Sequence, residues 1–172
     1  MMLVKATAAD LTAAAALVNS AYRGDSSRQG WTTEADYVDG QRTDPETLAR
    51  ELAEIPGARL MLVKAGDEIK GTVWLEPKTE EVWYLGMLVV RPGEQDQGSG
   101  RAILAAAEDL ARAEGARRME MTVISIRAEL IAWYERRGYQ KTGETRPFPY
   151  DIPRFGEPQV PGLEFVVLEK IL

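Results

Sequence analysis

The 172-residue chain contains no cysteine and no histidine. The first absence excludes disulfides, thiolate nucleophiles and cysteine-ligated zinc. The second removes the commonest general base and the commonest metal ligand, so no metal is expected. No apolar run approaches the ~20 residues that a membrane-spanning helix needs. The start Met1-Met2-Leu3-Val4-Lys5 lacks the cationic segment and apolar stretch of a secretory signal, so a soluble, cytoplasmic protein is expected. A basic excess is also missing: 21 Lys and Arg stand against 27 Asp and Glu, a net charge of −6. Nucleic acid and membrane surfaces are therefore not expected partners. The negative balance keeps the chain in solution and mildly favours approach of a cation. What remains, 45% hydrophobic and 28% charged residues over this length, reads as one domain spanning 1–172 with a substantial core.

Periodicity divides the chain into eleven elements. Leu3 to Ala6 reads as a short strand, and Thr7-Ala8-Ala9-Asp10 starts a helix that runs to Tyr22. Arg23 to Arg42 is polar and reads as loop. Thr43-Asp44-Pro45-Glu46 starts a second helix, which stops before Pro56-Gly57. Arg59–Lys64 and Ile69–Glu76 form a hairpin around Ala65-Gly66-Asp67. Val82 to Val90 is apolar enough for a central strand. Ser99 to Glu114 is a helix with Ile103, Leu104, Ala107, Leu110 and Ala111 on one face, ended by Gly115. Arg118–Ile124 is a strand, Ala128–Arg137 a helix stopped by Gly138, and Tyr139–Gly143 and Leu163–Leu168 are the last strands. The proline-rich segment Pro147 to Pro161 is a long loop of the kind that carries function.

One junction carries the most chemical information. An apolar strand ends in Leu88-Val89-Val90-Arg91-Pro92, and Gly93-Glu94-Gln95-Asp96-Gln97-Gly98-Ser99-Gly100-Arg101 leads straight into a helix. The first amides of a helix are unsatisfied and sit at its positive end, which suits a phosphate. Gly98 and Gly100 let the backbone approach a ligand closely. The Gly-Lys-Ser/Thr ending of a P-loop is absent, and a dinucleotide fingerprint would need glycine where Ile103 stands. An ordinary strand-turn-helix with two turn glycines is the plain alternative.

Leu-x-Val-x-Pro (Leu88, Val90, Pro92) followed by Gln-x-x-Gly-x-Gly (Gln95, Gly98, Gly100) resembles the acetyl-CoA loop of the GNAT superfamily of N-acetyltransferases. A second stretch, Arg127 to Tyr139, is similar to the family's Asn-helix-Tyr-Glu-x-x-Gly-Phe signature. The resemblance covers roughly Arg59 to Gly143 with specific motifs, and element order carries it elsewhere. It implies an α/β fold of the acyl-CoA N-acyltransferase type, with a central mixed, largely antiparallel sheet of about seven strands and four helices. It also implies acetyl-CoA as co-substrate, held by Leu88, Val89, Val90, Gln95, Asp96, Gln97, Gly98, Ser99, Gly100 and Arg101. The Leu88 N–H would polarise the thioester carbonyl. Tyr134 matches the family tyrosine that protonates the leaving thiolate, a role a phenol can fill at neutral pH. Core packing is the other reading of Tyr134.

Two positions depart from the family pattern. Arg127 stands where the asparagine is usual, either as a solvated surface arginine or as a partner for a phosphate or carboxylate. Tyr84 stands where histone-type members carry a glutamate base. Glu80, Glu81, Glu34 and Asp36 are carboxylates that could serve instead, and a water chain could also remove the proton. Trp31, Glu34, Tyr84 and Phe148 are candidates for the acceptor site, with Trp83, Tyr150 and Phe155 as further aromatics beside it. With no cysteine to carry an acetyl group, transfer would be direct, in a ternary complex with an amine acceptor. A homodimer is an optional further association. A non-catalytic acyl-CoA sensor and an interaction module on the same fold are the alternatives to an enzyme.

Overall fold

A computed structural model describes residues 2–22, 38–39, 42–91, 98–147, 157–158 and 163–172. In chain order the elements are β1 (Val4–Lys5), α1 (Leu11–Tyr22), β2 (Val38–Asp39), α2 (Pro45–Glu54), β3 (Arg59–Ala65), β4 (Glu68–Pro77), β5 (Val82–Val90), α3 (Ser99–Ala113), β6 (Arg118–Ile124), α4 (Ala128–Glu135), β7 (Gln140–Pro147), β8 (Glu157–Pro158) and β9 (Glu164–Ile171). Seven strands form one sheet in the order β1-β3-β4-β5-β6-β9-β7, antiparallel except for the β5–β6 pair. The four helices and the mixed, largely antiparallel sheet are those the family resemblance implies.

Local chemistry places the helices. A single 3-10 turn, Ala8–Asp10, precedes α1. There the Asp10 carboxylate accepts from the Thr7 N–H at 2.8 Å and from Lys64 Nζ at 2.7 Å, which draws its pKa down, Lys64 first. Asp44 caps α2 by accepting from the Thr47 N–H at 2.7 Å, and Pro45 fills the first helical position, where no amide donor is needed.

Two apolar clusters sandwich the sheet. On one face Leu11, Leu17, Val18, Leu48, Leu60, Leu62, Trp74, Met87 and Val89 pack under α1 and α2. On the other, Val73, Leu75, Leu85, Leu88, Val90, Ile103, Leu104, Met119, Met121, Ile131 and Tyr134 pack under α3 and α4. Of the predicted apolar face of α3, four residues are fully buried and Leu110 is partly so. The close approach of α3 to the sheet is set at Gly71, where a Cβ would stand 2.6 Å from Ile103 Cδ1 and 2.8 Å from the Val89 carbonyl oxygen.

Glu108 on α3 is also buried, at 6% exposure. It accepts from the Tyr139 hydroxyl at 2.8 Å and from Lys170 Nζ at 3.0 Å. Burial first, then the Glu108 charge, pushes the Tyr139 hydroxyl far above its usual pKa, so it acts only as a donor. Tyr139→Phe is expected to cost roughly 1.5–3 kcal/mol of stability, the worth of a hydrogen bond to a charged group, with an unchanged denaturant m-value. A loss below about 0.5 kcal/mol in urea unfolding would mean that Lys170 alone satisfies Glu108.

One correction concerns the segments read as loops. Val38–Asp39 and Glu157–Pro158 pair as a separate antiparallel ladder, Val38 opposite Pro158 and Asp39 opposite Glu157. A two-residue ladder between distant segments leaves no periodicity in either.

Candidate active site

The site is built on a defect in β5. In register, β4 and β5 run Gly71 opposite Val90 and Thr72 opposite Val89, then resume with Trp74 opposite Gly86, so β5 carries a bulge at Met87-Leu88. Met87 takes φ 45°, left-handed backbone that a side chain rarely adopts. The buried Thr72 hydroxyl donates to the Met87 carbonyl at 2.8 Å and holds the distorted residue in place. The bulge shifts the alternation of β5 by one residue. Met87 thus joins the α1/α2 face and Leu88 the α3/α4 face.

Just before the bulge, β5 and β6 part. Their pairing covers only Val82 with Arg118, Trp83 with Met119 and Tyr84 with Glu120. From Leu85 and Met121 onward the two parallel strands diverge, and this opens a wedge in the middle of the sheet. At the far end of β5 the chain reaches α3, whose N-cap is Gly98 in the left-handed region at φ 76°. Among the described residues, chain neighbours aside, no atom lies within 4 Å of where a Cβ would stand on Gly98, and its positive φ is what favours glycine there. At Gly100 the nearest atoms to a Cβ, among the described residues, would be Trp133 Cζ2 at 3.6 Å and Val90 Cγ2 at 3.8 Å, ordinary contact distances. Leu88, Val89, Val90, Gly98, Ser99, Gly100 and Arg101 are thus arranged along one path from the bulge to the start of α3. Gln95, Asp96 and Gln97 lie outside the described residues.

Tyr134 closes the α3/α4 side of this path. It is 6% exposed and belongs to the same packed cluster as Leu88 and Val90. Its ring meets Trp133 edge-on at 5.0 Å and Tyr139 at 5.8 Å between centroids, an arrangement that fixes ring orientation. Arg127 is 8% exposed at the N-cap of α4, so it is not a solvated surface arginine. The turn from β6 into α4 carries it inside.

Tyr84 lies on the opposite, α1/α2 face, half-buried, with its hydroxyl 3.1 Å from Thr122 Oγ1 across the mouth of the wedge. The carboxylates on its face are ones the sequence reading missed. Glu76 lies opposite Tyr84 on β4, buried, with Trp74 Nε1 donating to it at 3.2 Å and Lys78 paired to it. Glu120 lies opposite Tyr84 on β6, and Arg146 Nη2 donates to it at 3.1 Å. Cross-strand register could have found both, but register is visible only once strands are paired. Glu80 and Glu81 instead precede β5, at the end remote from Leu88. Trp83 is buried in the α3/α4 core with the Arg59 guanidinium over its ring at 4.9 Å, so it does not border the face that Tyr84 occupies. Trp31, Glu34, Asp36, Phe148, Tyr150 and Phe155 lie outside the described residues. The β2–β8 ladder does join the two segments that carry them.

Among known structures, the fold is shared with a GNAT family acetyltransferase from Elizabethkingia anophelis with acetyl-CoA bound (TM-score 0.61, 21% identity, 74% of this chain and 82% of that one). It is shared over the full length of both chains with a ribosomal-protein-alanine N-acetyltransferase from Brucella melitensis (TM-score 0.69, 19% identity, 100% of each). A third similar structure is an IAA acetyltransferase from Bacillus cereus (TM-score 0.61, 16% identity, 74% of this chain and 84% of that one). No curated protein matches the chain in sequence. The model of the Acetyltransferase (GNAT) family matches residues 26–139, a stretch that holds the bulge, the wedge, the glycine cap and Tyr134, and the chain belongs to that family.

Proposed function

We propose that the protein transfers an acetyl group from acetyl-CoA to a primary amine of a small-molecule acceptor, by direct attack in a ternary complex. The observation that carries this reading is the bulge at Met87-Leu88, pinned by Thr72 where β5 leaves β6. A bulge takes its residues out of the regular ladder, and in this reading the Leu88 backbone stabilises negative charge on the thioester carbonyl oxygen. The pantetheine arm lies along Leu88–Val90, and the diphosphate sits on the amides of residues 97–101 at the positive end of α3. The amine nitrogen attacks the thioester carbon, the carbon–sulfur bond breaks, and Tyr134 gives its proton to the thiolate. Among the described residues, both carboxylates on the Tyr84 face are already paired with cations. The amine proton leaves through water or directly to a carboxylate beside the acceptor, as Glu34 and Asp36 would provide.

The acceptor enters on the Tyr84 face, between the segments that β2 and β8 join. The neighbour from Brucella is named for a protein substrate, but no broad apolar face among the described residues favours a protein partner here. Among the described residues the exposed large hydrophobics are Met2, Val4, Ile126 and Ile171, from separate stretches of the chain or its strand ends.

Acetyl-CoA, and free CoA nearly as well, is expected to raise the melting temperature. A ligand held only by the native state contributes about 2.7 kcal/mol at one hundred times its Kd. An unchanged melting curve at saturating CoA would overturn the coenzyme assignment. CoA release measured over a panel of primary amines separates an enzyme from an acyl-CoA sensor, since a sensor would leave the thioester intact with every amine.

A further inference from the structure

Tyr134 is the last residue but one of α4, a helix of eight residues. A helix that short is marginal by itself and frays at its ends, so its last turn needs support from outside. The support begins in the turn that follows. The Tyr134 carbonyl accepts from the Arg137 N–H at 2.9 Å and from the Tyr139 N–H at 3.2 Å, and Gly138 takes φ 99° to close that turn. The Tyr139 ring then comes back edge-on against the Tyr134 ring, 5.8 Å between centroids.

Tyr139 is itself tied to two other elements. Its hydroxyl donates to Glu108 of α3 at 2.8 Å, and Lys170 of β9 donates to the two oxygens of the same carboxylate at 3.0 and 3.2 Å. The Lys170 stem covers the turn: a Cβ on Gly138 would stand 3.3 Å from Lys170 Cε, and Nζ lies 5.8 Å from the centre of the Tyr139 ring. Removing one partner of such a buried group is costly, but the intact group adds little net stability over apolar residues of the same volume, because desolvation offsets most of the attraction. What it adds is direction. A hydrogen bond fixes where the Tyr139 ring sits, whereas apolar packing alone tolerates several arrangements.

We propose that Glu108, Tyr139 and Lys170 are positioning residues for the transfer reaction: anchored between α3 and β9, the Tyr139 ring holds Tyr134 with its hydroxyl toward the sulfur of coenzyme A. This rests on the reading that Tyr134 protonates the leaving thiolate. The three act through Tyr134 and not on coenzyme or acceptor themselves. Their effect is to keep the hydroxyl within hydrogen-bond reach of the sulfur while the carbon–sulfur bond breaks. A phenylalanine side chain at this place would keep the ring contact and lose its anchor.

The test reads kcat and KM separately on the full chain, with the best acceptor of the amine panel. Tyr139→Phe is expected to lower kcat about tenfold, inside the ~10²-fold that a misplacement of about 1 Å can cost, with the KM for acetyl-CoA and for the amine unchanged. Because that substitution also destabilises the fold, Tyr139→Phe/Glu108→Leu is the second variant. It removes hydroxyl and carboxylate together, leaves the partly exposed Lys170 to reach solvent, and should recover the melting temperature without recovering the rate. Glu108→Gln keeps an acceptor for the Tyr139 hydroxyl and is expected to recover most of the rate lost with Glu108→Leu. In a Tyr134→Phe background, Tyr139→Phe should slow turnover no further, since no hydroxyl is left to aim. A wild-type kcat in either Tyr139 variant overturns the proposal. So does a loss in Glu108→Gln equal to that of the double variant, or an equal fold-loss in the Tyr134→Phe background. Full turnover in Tyr134→Phe alone overturns instead the general-acid reading beneath it.

Discussion

A Tyr134→Phe variant is expected to bind acetyl-CoA as wild type does and to turn over roughly 10²–10⁴-fold more slowly, the usual contribution of a general acid. The separation follows from how the ring is held. Tyr134 is 6% exposed, with edge-on ring contacts to Trp133 and Tyr139. Phenylalanine keeps that packing, so melting temperature and coenzyme affinity should stay near wild type. The measurement is kcat with the best acceptor from the amine panel, beside a CoA titration on the same preparation. Undiminished kcat in a variant of normal stability would leave Tyr134 as a core residue only.

Gly100→Val should abolish the CoA-induced rise in melting temperature while the protein still folds. The structure separates the two effects. A Cβ on Gly100 meets Trp133 and Val90 at ordinary contact distance, and no positive φ is demanded there. The side chain therefore costs the fold little and instead occupies the backbone surface that a phosphate must approach. Gly98→Ala is the contrasting control. It fills open space but forces a side chain into the left-handed region at φ 76°, a backbone strain of about 1 kcal/mol. A full CoA shift in folded Gly100→Val would place the diphosphate elsewhere.

Tyr134 and Gly100 stand out as candidates in the sequence because their signals are local. A glycine loop between an apolar strand and an amphipathic helix announces itself within fourteen residues, Leu88 to Arg101. Strand and helix spans from Arg59 to Ile124 follow from periodicity and turn residues, and they match the structure to within one or two residues. What the sequence hides is set across strands. Thr72 and Met87 meet only through register, so nothing near Met87 marks a bulge. Glu108 reads as a solvent-facing acid until Tyr139 and Lys170 arrive from α4's far side and from β9. Arg127 carries no local cue that it is buried. The β2–β8 ladder unites segments more than a hundred residues apart.

The strand order carries a consequence for synthesis. Strand β9 is inserted between β6 and β7, although both precede it in the chain. On the ribosome, β1, β3, β4 and β5 can assemble as successive neighbours while α3 docks on them. The other half of the sheet has no middle until β9 emerges. During that interval Met119, Met121 and Val123 lack the cover of a completed sheet, and β6 offers an apolar edge to any other nascent strand. Aggregation during expression should therefore track the time between translation of β6 and of β9. Rare codons placed in the connection 148–163 would lengthen that exposure more harmfully than the same codons placed in the hairpin of β3 and β4.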